Sequence, residues 1–490
     1  MSEIKTIDLD NAVVEMEAAC LINEELCQEN CLIPFKIDGK KLHIAVWQHP
    51  GEPVMDEVKF LTGKEVILYK ASREQIISAM NSCFSRKNAE SALKCLKNDA
   101  ENRNLHNHKE KDDRDSPVIR LTTSIIVKAV CCNASDIHIE PFREMLKVRY
   151  RIDGVLCEYM SVPVEVYPMI CTRIKVMAGL NITEKRIPQD GKISFRYNNH
   201  EYDFRVSTLP AVYGEKIVIR ILYGERNNIK LNDLGFDLKG VEFIKGMLQC
   251  PHGIILVTGP TGSGKSTTLY SMITSLNKME KNIVTIEDPV EFSLEGITQV
   301  NVNTKTGMTF ARGLRSVLRQ DPDVIMIGEI RDEETAQIAV RAAITGHLVI
   351  STLHTNDSSS AILRLMDMGV PAYLVCDALI GTIAQRLVRK ICPWCREEVK
   401  ASGISGINRT FKGRGCPKCS GTGYKGRTVI YEYNKMDSAR KLFIQGTNNV
   451  EDVRRYNAEA GMKSLEENCR ELVIKGITTL EEYQRIRLCF

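Results

Sequence analysis

The alternation of apolar and polar positions divides the first part of the chain into segments with and without regular structure. KLHIAVW and EVILYK are typical of strands, and SREQIISAMNSCF has helical periodicity with Ser72 as its N-cap. These segments predict a small α/β module over residues 1–86. Residues 87–115 contain almost no large apolar side chains and cannot bury a core, so we predict a flexible linker there.

A second region with regular periodicity covers residues 116–223. It begins with the helical segment VIRLTTSIIVKAVCCN and continues with strand-like segments such as KISFRY, EYDFRVSTLP and KIVIRIL. Asp153-Gly154 and Asn198-Asn199 separate neighbouring strand patterns and are typical of tight hairpin turns. This region therefore predicts an antiparallel sheet with packed helices.

The pattern changes again over residues 235–390. GIILVTG, IVTIED, VIMIGEI and HLVISTLHT are almost wholly apolar strands that alternate with longer helical segments. Short, apolar strands of this kind predict a parallel sheet covered on both faces. Two cysteine pairs occupy residues 391–425, and we predict a helical region over 426–490. The predicted fold class is therefore α/β.

Composition narrows the possible functions. The chain has 490 residues, enough for roughly three or four domains, and its net charge is only +4 with 6% aromatic residues. That balance argues against a nucleic-acid-binding surface. No apolar run approaches the ~18 residues that a membrane-spanning helix needs, and the first thirty residues lack the pattern of a signal peptide. Most of the 17 cysteines are scattered singly, which predicts reduced thiols in a cytoplasmic protein.

The segment GPTGSGKS fits the phosphate-binding pattern G-x-x-x-x-G-K-S. It follows the strand IILVT and precedes the helix STTLYSMITSLNKM, which is the context that the pattern needs. Lys265 is expected to reach the β- and γ-phosphates, and the Ser266 hydroxyl to ligate Mg²⁺. ATP is favoured because the base-reading motif of GTPases is missing from its expected position in the sequence. The predicted nucleotide-binding residues are Gly259, Pro260, Thr261, Gly262, Ser263, Gly264, Lys265, Ser266 and Thr267.

Acidic residues follow two of the apolar strands. Glu329, after DVIMI, is a candidate for holding Mg²⁺ or its water. Glu287, Asp288 and Glu291 come at and after the end of IVTIE, where a carboxylate can orient and deprotonate the attacking water. Helix N-caps are the alternative interpretation for Asp288 and for Asp332.

Two histidines flank the strand LVISTL. His347 precedes it and His354 follows it. They are either sensors of the γ-phosphate or residues with a structural role, and the sequence favours neither interpretation.

Several segments together resemble one known family. LRQDPDVIMIGEIRD, the acidic segment TIEDPVE, TGHLVISTLHTN, ASDIHIEP and RVSTLPAVYGEKIVIRIL are similar to the signatures of bacterial type II secretion and type IV pilus assembly ATPases. The resemblance covers residues 30–485. It implies a RecA-like P-loop domain preceded by a PAS-like domain, with ATP bound between them. It also implies a cytoplasmic homohexamer that drives an inner-membrane platform protein.

The same resemblance assigns roles to individual residues. It implies that Glu287 is the catalytic base and that Glu329 is the Walker-B acid. It also implies that Arg205 and Arg220 reach the γ-phosphate when the domains close, which agrees with the need to neutralise charge on a transferring phosphoryl group. Weaker candidates of the same kind are Arg149, Arg151 and Arg186.

The N-terminal module departs from many members of this family. Those members begin with an additional helical module whose Arg-Leu-Gly motif binds cyclic di-GMP, and this sequence has no such motif near its start. The resemblance therefore gives no reason to expect control by cyclic di-GMP. The module is expected to dock a membrane-anchored partner.

Four cysteines differ from the scattered ones. Cys392 and Cys395 form one C-x-x-C pair, Cys416 and Cys419 form another, and twenty residues separate the pairs. This spacing predicts a closed, structural Cys₄ zinc site. Retraction motors of the same superfamily generally lack such an insertion, so it favours an assembly or secretion motor.

Three functions remain open from the sequence. The first is an ATP-driven motor for a pilus or a secretion pseudopilus, between which the motifs do not discriminate. The second is a nucleic-acid-dependent P-loop ATPase with a zinc ribbon, which predicts stimulation by nucleic acid. The third is a scaffold that binds ATP as a switch without hydrolysing it.

Overall fold

The structure of the protein is a computed structural model. The structure describes residues 5–9, 12, 14–77, 79–81, 83–84, 91, 116–198, 200–223, 230–400, 409–447 and 449–488. Apart from residue 91, the linker predicted over 87–115 lies outside the described residues. The chain divides into two compact units, Met1–Tyr223 and Gly224–Phe490.

The first unit begins with a small α/β module, as predicted. Ser72 caps the helical residues that follow, since its Oγ accepts a hydrogen bond from the Gln75 backbone N–H at 3.2 Å. The four strands form one sheet in the order β1-β4-β3-β2. The strands are β1 (Lys5–Thr6), β2 (Leu32–Asp38), β3 (Lys41–Val46) and β4 (Glu65–Lys70), and the helices are α1 (Met16–Ala19), α2 (Glu24–Glu29) and α3 (Glu52–Thr62).

The rest of the first unit is the predicted antiparallel sheet. Its order is β7-β6-β5-β10-β9-β8, and every neighbouring pair is antiparallel. Asp153 and Gly154 both have positive φ, 49° and 88°, as the predicted tight turn between β6 and β7 requires. The elements are α4 (Pro117–Cys131), β5 (Asp136–Pro141), β6 (Met145–Ile152), β7 (Val155–Pro163), α5 (Tyr167–Met177), β8 (Gln189–Tyr197), β9 (His200–Ala211) and β10 (Gly214–Tyr223).

Alternation along these strands separates an apolar face from a polar one. Ile137 and Ile139 of β5 and Ile219 of β10 are buried in a single cluster with apolar residues of α4 and α5. The intervening positions, such as Asp136 and Arg220, point to the opposite face because successive side chains of a strand alternate. The arginine candidates of β9 and β10 are therefore on the polar face.

The second unit contains a seven-stranded sheet in the order β13-β12-β14-β15-β11-β16-β19. Its first six strands are parallel, and β19 runs antiparallel to β16. Two further strands, β17 and β18, form a separate hairpin. The strands are β11 (Gly253–Thr258), β12 (Ile283–Glu287), β13 (Thr298–Asn301), β14 (Val324–Ile327), β15 (Leu348–Leu353), β16 (Leu379–Ile391), β17 (Arg396–Lys400), β18 (Arg409–Gly413) and β19 (Tyr424–Lys435).

Helices cover both faces of the large sheet, which confirms the prediction from its apolar strands. Ile254 and Leu256 of β11 are buried in one cluster, whereas Ile255 and Val257 are buried in a different one. The helices are α6 (Leu238–Leu248), α7 (Lys265–Leu276), α8 (Phe310–Val317), α9 (Glu333–Ile344), α10 (Ser358–Asp367), α11 (Ala372–Ala378), α12 (Ser438–Gln445), α13 (Val450–Glu459), α14 (Leu465–Ile474) and α15 (Leu480–Arg487). Among the described residues, none of the helices is both long and apolar enough to cross a membrane.

The long strands β16 and β19 were not predicted. They extend the sheet past residue 390, so the region after the cysteine pairs starts with a strand of this sheet before its four helices begin. The sequence obscures both strands because each contains buried polar residues, among them Gln385 and Asn434.

Candidate functional site

The predicted phosphate loop lies at the carboxyl edge of the parallel sheet, between β11 and α7. Gly259, Gly262 and Gly264 have positive φ of 146°, 78° and 89°. At Gly259 a Cβ atom would lie 2.4 Å from the Gln385 carbonyl oxygen and 2.7 Å from the Ser263 hydroxyl, so no larger residue fits. The loop is therefore held in a conformation that glycine alone permits.

Lys265 and Ser263 carry the polar groups inside this loop. The Lys265 ammonium is largely buried and donates to the carbonyl oxygens of Gly259 at 2.7 Å and Pro260 at 3.0 Å. Burial lowers the pKa of Lys265, and the nearby negative charge of Glu329 partly opposes that shift. The Ser263 hydroxyl is buried without a hydrogen-bond partner among the described residues. The loop thus contains an ammonium and a hydroxyl that can turn to phosphate oxygens, and Ser266 is exposed in the first turn of α7.

Gln385, in the middle of β16, connects this loop to the neighbouring strand. Its side-chain Nε2 donates to the Ser263 carbonyl oxygen at 2.9 Å, and its Oε1 accepts from the Thr268 hydroxyl at 2.9 Å. The residue is 1% exposed. Sequence reasoning missed it, although a glutamine in the segment TIAQRLV, which has four apolar residues, was a usable signal.

Glu329 lies just beyond β14, close enough to the phosphate loop for its negative charge to act on Lys265. Its carboxylate pairs with the Arg331 guanidinium at 2.5 Å and with the His354 Nε2 at 3.3 Å. Burial alone would raise the pKa of Glu329, but these two side chains outweigh it and hold the pKa below the usual value. Arg331 was not singled out from the sequence.

His347, by contrast, does not lie in the site of its own chain. Its carbonyl oxygen accepts from the Gly253 N–H at 3.1 Å, which places it at the start of β15, and its Nδ1 lies 3.0 Å from the Ala342 carbonyl oxygen. The phosphate loop is at the opposite end of these strands, about 20 Å away at ~3.3 Å per residue. Of the two interpretations that the sequence left open, His347 therefore fits the structural role, whereas His354 lies beside Glu329, where the sensor interpretation stays open.

Glu287 ends β12 and is 4% exposed. Its Oε1 accepts from the Thr285 hydroxyl at 2.6 Å and from Gln299 Nε2 at 3.1 Å, and its Oε2 accepts from the Tyr270 hydroxyl. Three donors thus hold the Glu287 carboxylate in one orientation. Tyr270, one and a half turns after Lys265 in α7, was not identified from the sequence because an aromatic residue in a helix usually indicates core.

The other acidic candidates have different surroundings. Asp288 and Glu291 are exposed, and no helix begins at Asp288, so the N-cap interpretation does not apply to it. Asp332 does cap α9, since its Oδ1 accepts from the Thr335 N–H at 2.8 Å.

The arginine candidates of the first unit share one row of its polar sheet face. Arg205 and Arg220 are directly opposite each other on β9 and β10, and the row continues through Asp136 to Arg151. Asp136 accepts from Arg220 Nε at 3.1 Å and lies 3.6 Å from Arg151 Nε. The Asp136 carboxylate thus lies beside the guanidinium groups of Arg220 and Arg151, and Arg205 lies on the other side of β10.

Two weaker candidates lie elsewhere in the first unit. Arg149 pairs with Glu140 at 2.6 Å on the same face. Arg186 is exposed in the segment between α5 and β8, where it pairs with Glu184 at 3.2 Å.

The four predicted cysteines come together at the ends of β16 and β19. All four sulfur atoms lie within 4.8 Å of one another, with Cys392–Cys416 at 3.7 Å, Cys395–Cys419 at 3.8 Å and Cys416–Cys419 at 3.6 Å. Sulfurs bound tetrahedrally to one zinc at about 2.3 Å would be about 3.8 Å apart, so the set fits zinc.

Backbone groups prepare one of these sulfurs for a cation. Burial alone would raise the pKa of the Cys419 thiol, but the N–H groups of Cys416 and Gly423 point at its sulfur from 3.1 and 3.2 Å and lower the pKa to about 7. Burial raises the pKa of Cys395 to about 12, so this thiol ionises at neutral pH only with a metal beside it.

Comparisons with known proteins agree with this geometry. Residues 110–485 match the family described as Type II/IV secretion system protein, and residues 2–90 match the MshEN domain family. The chain is 47% identical to Type II secretion system protein E of Pseudomonas aeruginosa over 77% of this chain and 76% of that protein. It is 39% identical to the type IV pilus assembly ATPase PilB of Myxococcus xanthus over 98% of this chain and 88% of that protein.

A solved structure gives the same result for the fold. The pilus retraction motor PilT with bound ADP superposes with a TM-score of 0.51 at 29% identity, covering 74% of this chain and 95% of that one. The family match covers more than half of the chain, and the phosphate loop and Glu329 lie within it. The chain therefore belongs to the Type II/IV secretion system protein family and is an ATPase.

Proposed function

We propose that this ATPase is a hexameric cytoplasmic motor that powers assembly of a type IV pilus or a type II secretion pseudopilus. The observation that carries the proposal is the meeting of Lys265, Glu329 and His354 at one edge of a parallel sheet. It occurs in a chain that aligns over nearly its full length with a pilus assembly ATPase. Force would pass to an inner-membrane platform protein, and the N-terminal module would dock a membrane-anchored partner.

The phosphate loop supplies binding and charge stabilisation. Backbone N–H groups of the loop and the Lys265 ammonium would hold the β- and γ-phosphates of ATP. Ser266 and Glu329 would hold Mg²⁺, which neutralises charge on the phosphate oxygens when bound. An exposed hydroxyl and a carboxylate kept ionised by its neighbours are the hard oxygen ligands that this ion prefers.

Hydrolysis requires a base and further positive charge. Glu287 would take a proton from water as the water oxygen bonds to the γ-phosphorus, while the bond from that phosphorus to the bridging oxygen breaks and releases ADP. Arg205 and Arg220 would neutralise charge on the transferring group when the first unit closes on ATP. His354 would sense the γ-phosphate from beside Glu329.

The Cys₄ cluster would hold a structural zinc ion. Four cysteines leave no position for water, so the metal would contribute folding energy and no chemistry. The small net charge and the low aromatic content give no reason to include nucleic acid among the partners.

The test compares ATP hydrolysis with the state of assembly. Turnover per subunit should rise with protein concentration as hexamers form, and Arg220→Ala should lower it by at least tenfold without weakening assembly. Lys147→Ala removes an exposed ion pair with Glu158 from the same sheet face and should leave turnover unchanged. Equal turnover at every concentration, or stimulation by single-stranded DNA, would contradict the proposal.

A further inference from the structure

Glu287 is connected to the phosphate-loop helix by the side chain of Tyr270. The Tyr270 hydroxyl, five residues after Lys265 in α7, donates to Glu287 Oε2, and both residues are 4% exposed. The same hydroxyl accepts from the Glu291 backbone N–H at 3.3 Å, and its ring packs against Phe292 at 4.3 Å between centroids. Tyr270 therefore links the helix to which it belongs with the Glu287 carboxylate and with the segment after β12.

Gln299 of β13 holds the other oxygen and the same segment. Its Nε2 donates to Glu287 Oε1 at 3.1 Å and to the Phe292 carbonyl oxygen at 3.2 Å, and its Oε1 accepts from the Leu294 N–H at 2.7 Å. Any movement of this segment must therefore break or carry along the hydrogen bonds of Glu287.

The direction of these bonds determines their effect on the carboxylate. Burial, together with the negative charge of Glu287, raises the pKa of Tyr270, so its hydroxyl keeps its proton and acts as a donor. Among the described residues, the charge of Glu291 also raises the pKa of Tyr270, and Asp288, next to Glu287 in the chain, raises the pKa of Arg331. Glu287 thus accepts hydrogen bonds at both of its oxygens, and these bonds fix the orientation of its carboxylate.

We propose that Tyr270 and Gln299 are positioning residues for Glu287, whose carboxylate they hold in the orientation in which it can accept the proton of the attacking water. This inference rests on the proposed role of Glu287 as the base. It assigns to the loop helix a second task besides phosphate binding, because Tyr270 ties the base to the helix that begins at Lys265.

The experiment measures ATP turnover from acid to neutral pH with the full chain. Tyr270→Phe removes the donor and keeps the ring, so the acid limb should move up by about one pH unit, because loss of a hydrogen bond to the charged form raises its pKa. At a pH on that limb, turnover should fall about tenfold, whereas the neutral plateau should be largely retained. Gln299→Glu should move the limb further in the same direction, since it replaces a donor by a second carboxylate.

Tyr483→Phe is the matched control, because the Tyr483 hydroxyl donates to Glu466 at 2.6 Å within the C-terminal helices. It should leave the pH profile unchanged. An unshifted acid limb in both Tyr270→Phe and Gln299→Glu, with Glu287→Gln inactive, would overturn the positioning role alone. Wild-type turnover in Glu287→Gln would instead refute the proposed base and this inference with it.

Discussion

Replacement of Gln385 by leucine tests how far the phosphate loop depends on the strand beside it. The substitution keeps the volume of the side chain but removes both of its hydrogen bonds, to the Ser263 carbonyl oxygen and from the Thr268 hydroxyl. Each buried bond contributes about 1 kcal/mol, and an orphaned buried carbonyl adds up to about 2 kcal/mol more. We therefore expect the second unit to lose about 2–4 kcal/mol of its free energy of unfolding.

Nucleotide affinity should fall as well, because the freed loop must be ordered again when phosphate binds. A cost of about 1.4–2 kcal/mol corresponds to a dissociation constant for Mg-ADP that is roughly 10–30 times higher. A fluorescent ADP analogue measures this constant, and urea unfolding measures stability.

Asn434→Leu provides the control. Asn434 lies in β19 of the same sheet, is fully buried, and donates to the Ser358 hydroxyl at 2.8 Å, away from the loop. The Asn434→Leu variant should lose a similar free energy of unfolding and bind Mg-ADP as the wild type does. If both variants bind Mg-ADP equally well, Gln385 supports the sheet and has no specific effect on the phosphate loop.

Two further predictions concern the metal site and the pH dependence of the first unit. Cys395→Ser should abolish stoichiometric zinc in the purified protein and lower the midpoint of thermal unfolding. A chelator should lower the midpoint of the wild type in the same way, and an unchanged midpoint after chelation would exclude a structural metal. Burial alone would raise the pKa of Glu140, but hydrogen bonds from Lys216 and Arg149 outweigh it and hold the pKa below the unfolded value of about 4.5. The ionised Glu140 therefore stabilises the fold above pH 4.5, and this stability is lost as the pH falls through the folded pKa. Glu140→Gln should therefore lose about 1–2 kcal/mol at pH 7 and much less at pH 3, and an equal loss at both pH values would refute the assignment.

The sequence was most informative where a strand is buried on both faces and is short and mostly apolar. The strands β11, β12, β14 and β15 were all predicted, because a short, mostly apolar run bounded by glycine and polar residues is typical of a strand covered on both sides. The phosphate loop and the cysteine pairs were predicted for a related reason, since their chemistry needs fixed residue types at fixed spacing.

The residues that sequence reasoning missed depend on partners that are distant in the chain. Gln385 contacts Ser263 across 122 residues, and in β19 the Glu432 carboxylate accepts from the Ser358 N–H at 2.8 Å across 74 residues. Such partners make a buried polar residue acceptable inside a strand, but they cannot be seen in a local pattern. His347 and His354 show that the opposite also occurs: they are close in the sequence, but they flank the strand β15 and therefore lie at opposite edges of the sheet.

The cysteine pairs and the phosphate loop are connected by one pair of strands. β16 contains Gln385, and Cys392 follows its last residue, while Cys416 and Cys419 precede β19. The Cys392 N–H donates to the Gly423 carbonyl oxygen at 2.9 Å, so the backbone already joins the two strands at the metal site. A metal bound by sulfurs that follow β16 and precede β19 would fix the two strands to each other at this end. Without the metal, β16 could separate from β19 here. Because the other part of β16 holds the phosphate loop through Gln385, zinc removal should increase amide exchange first between residues 386 and 391, and only afterwards around Ser263.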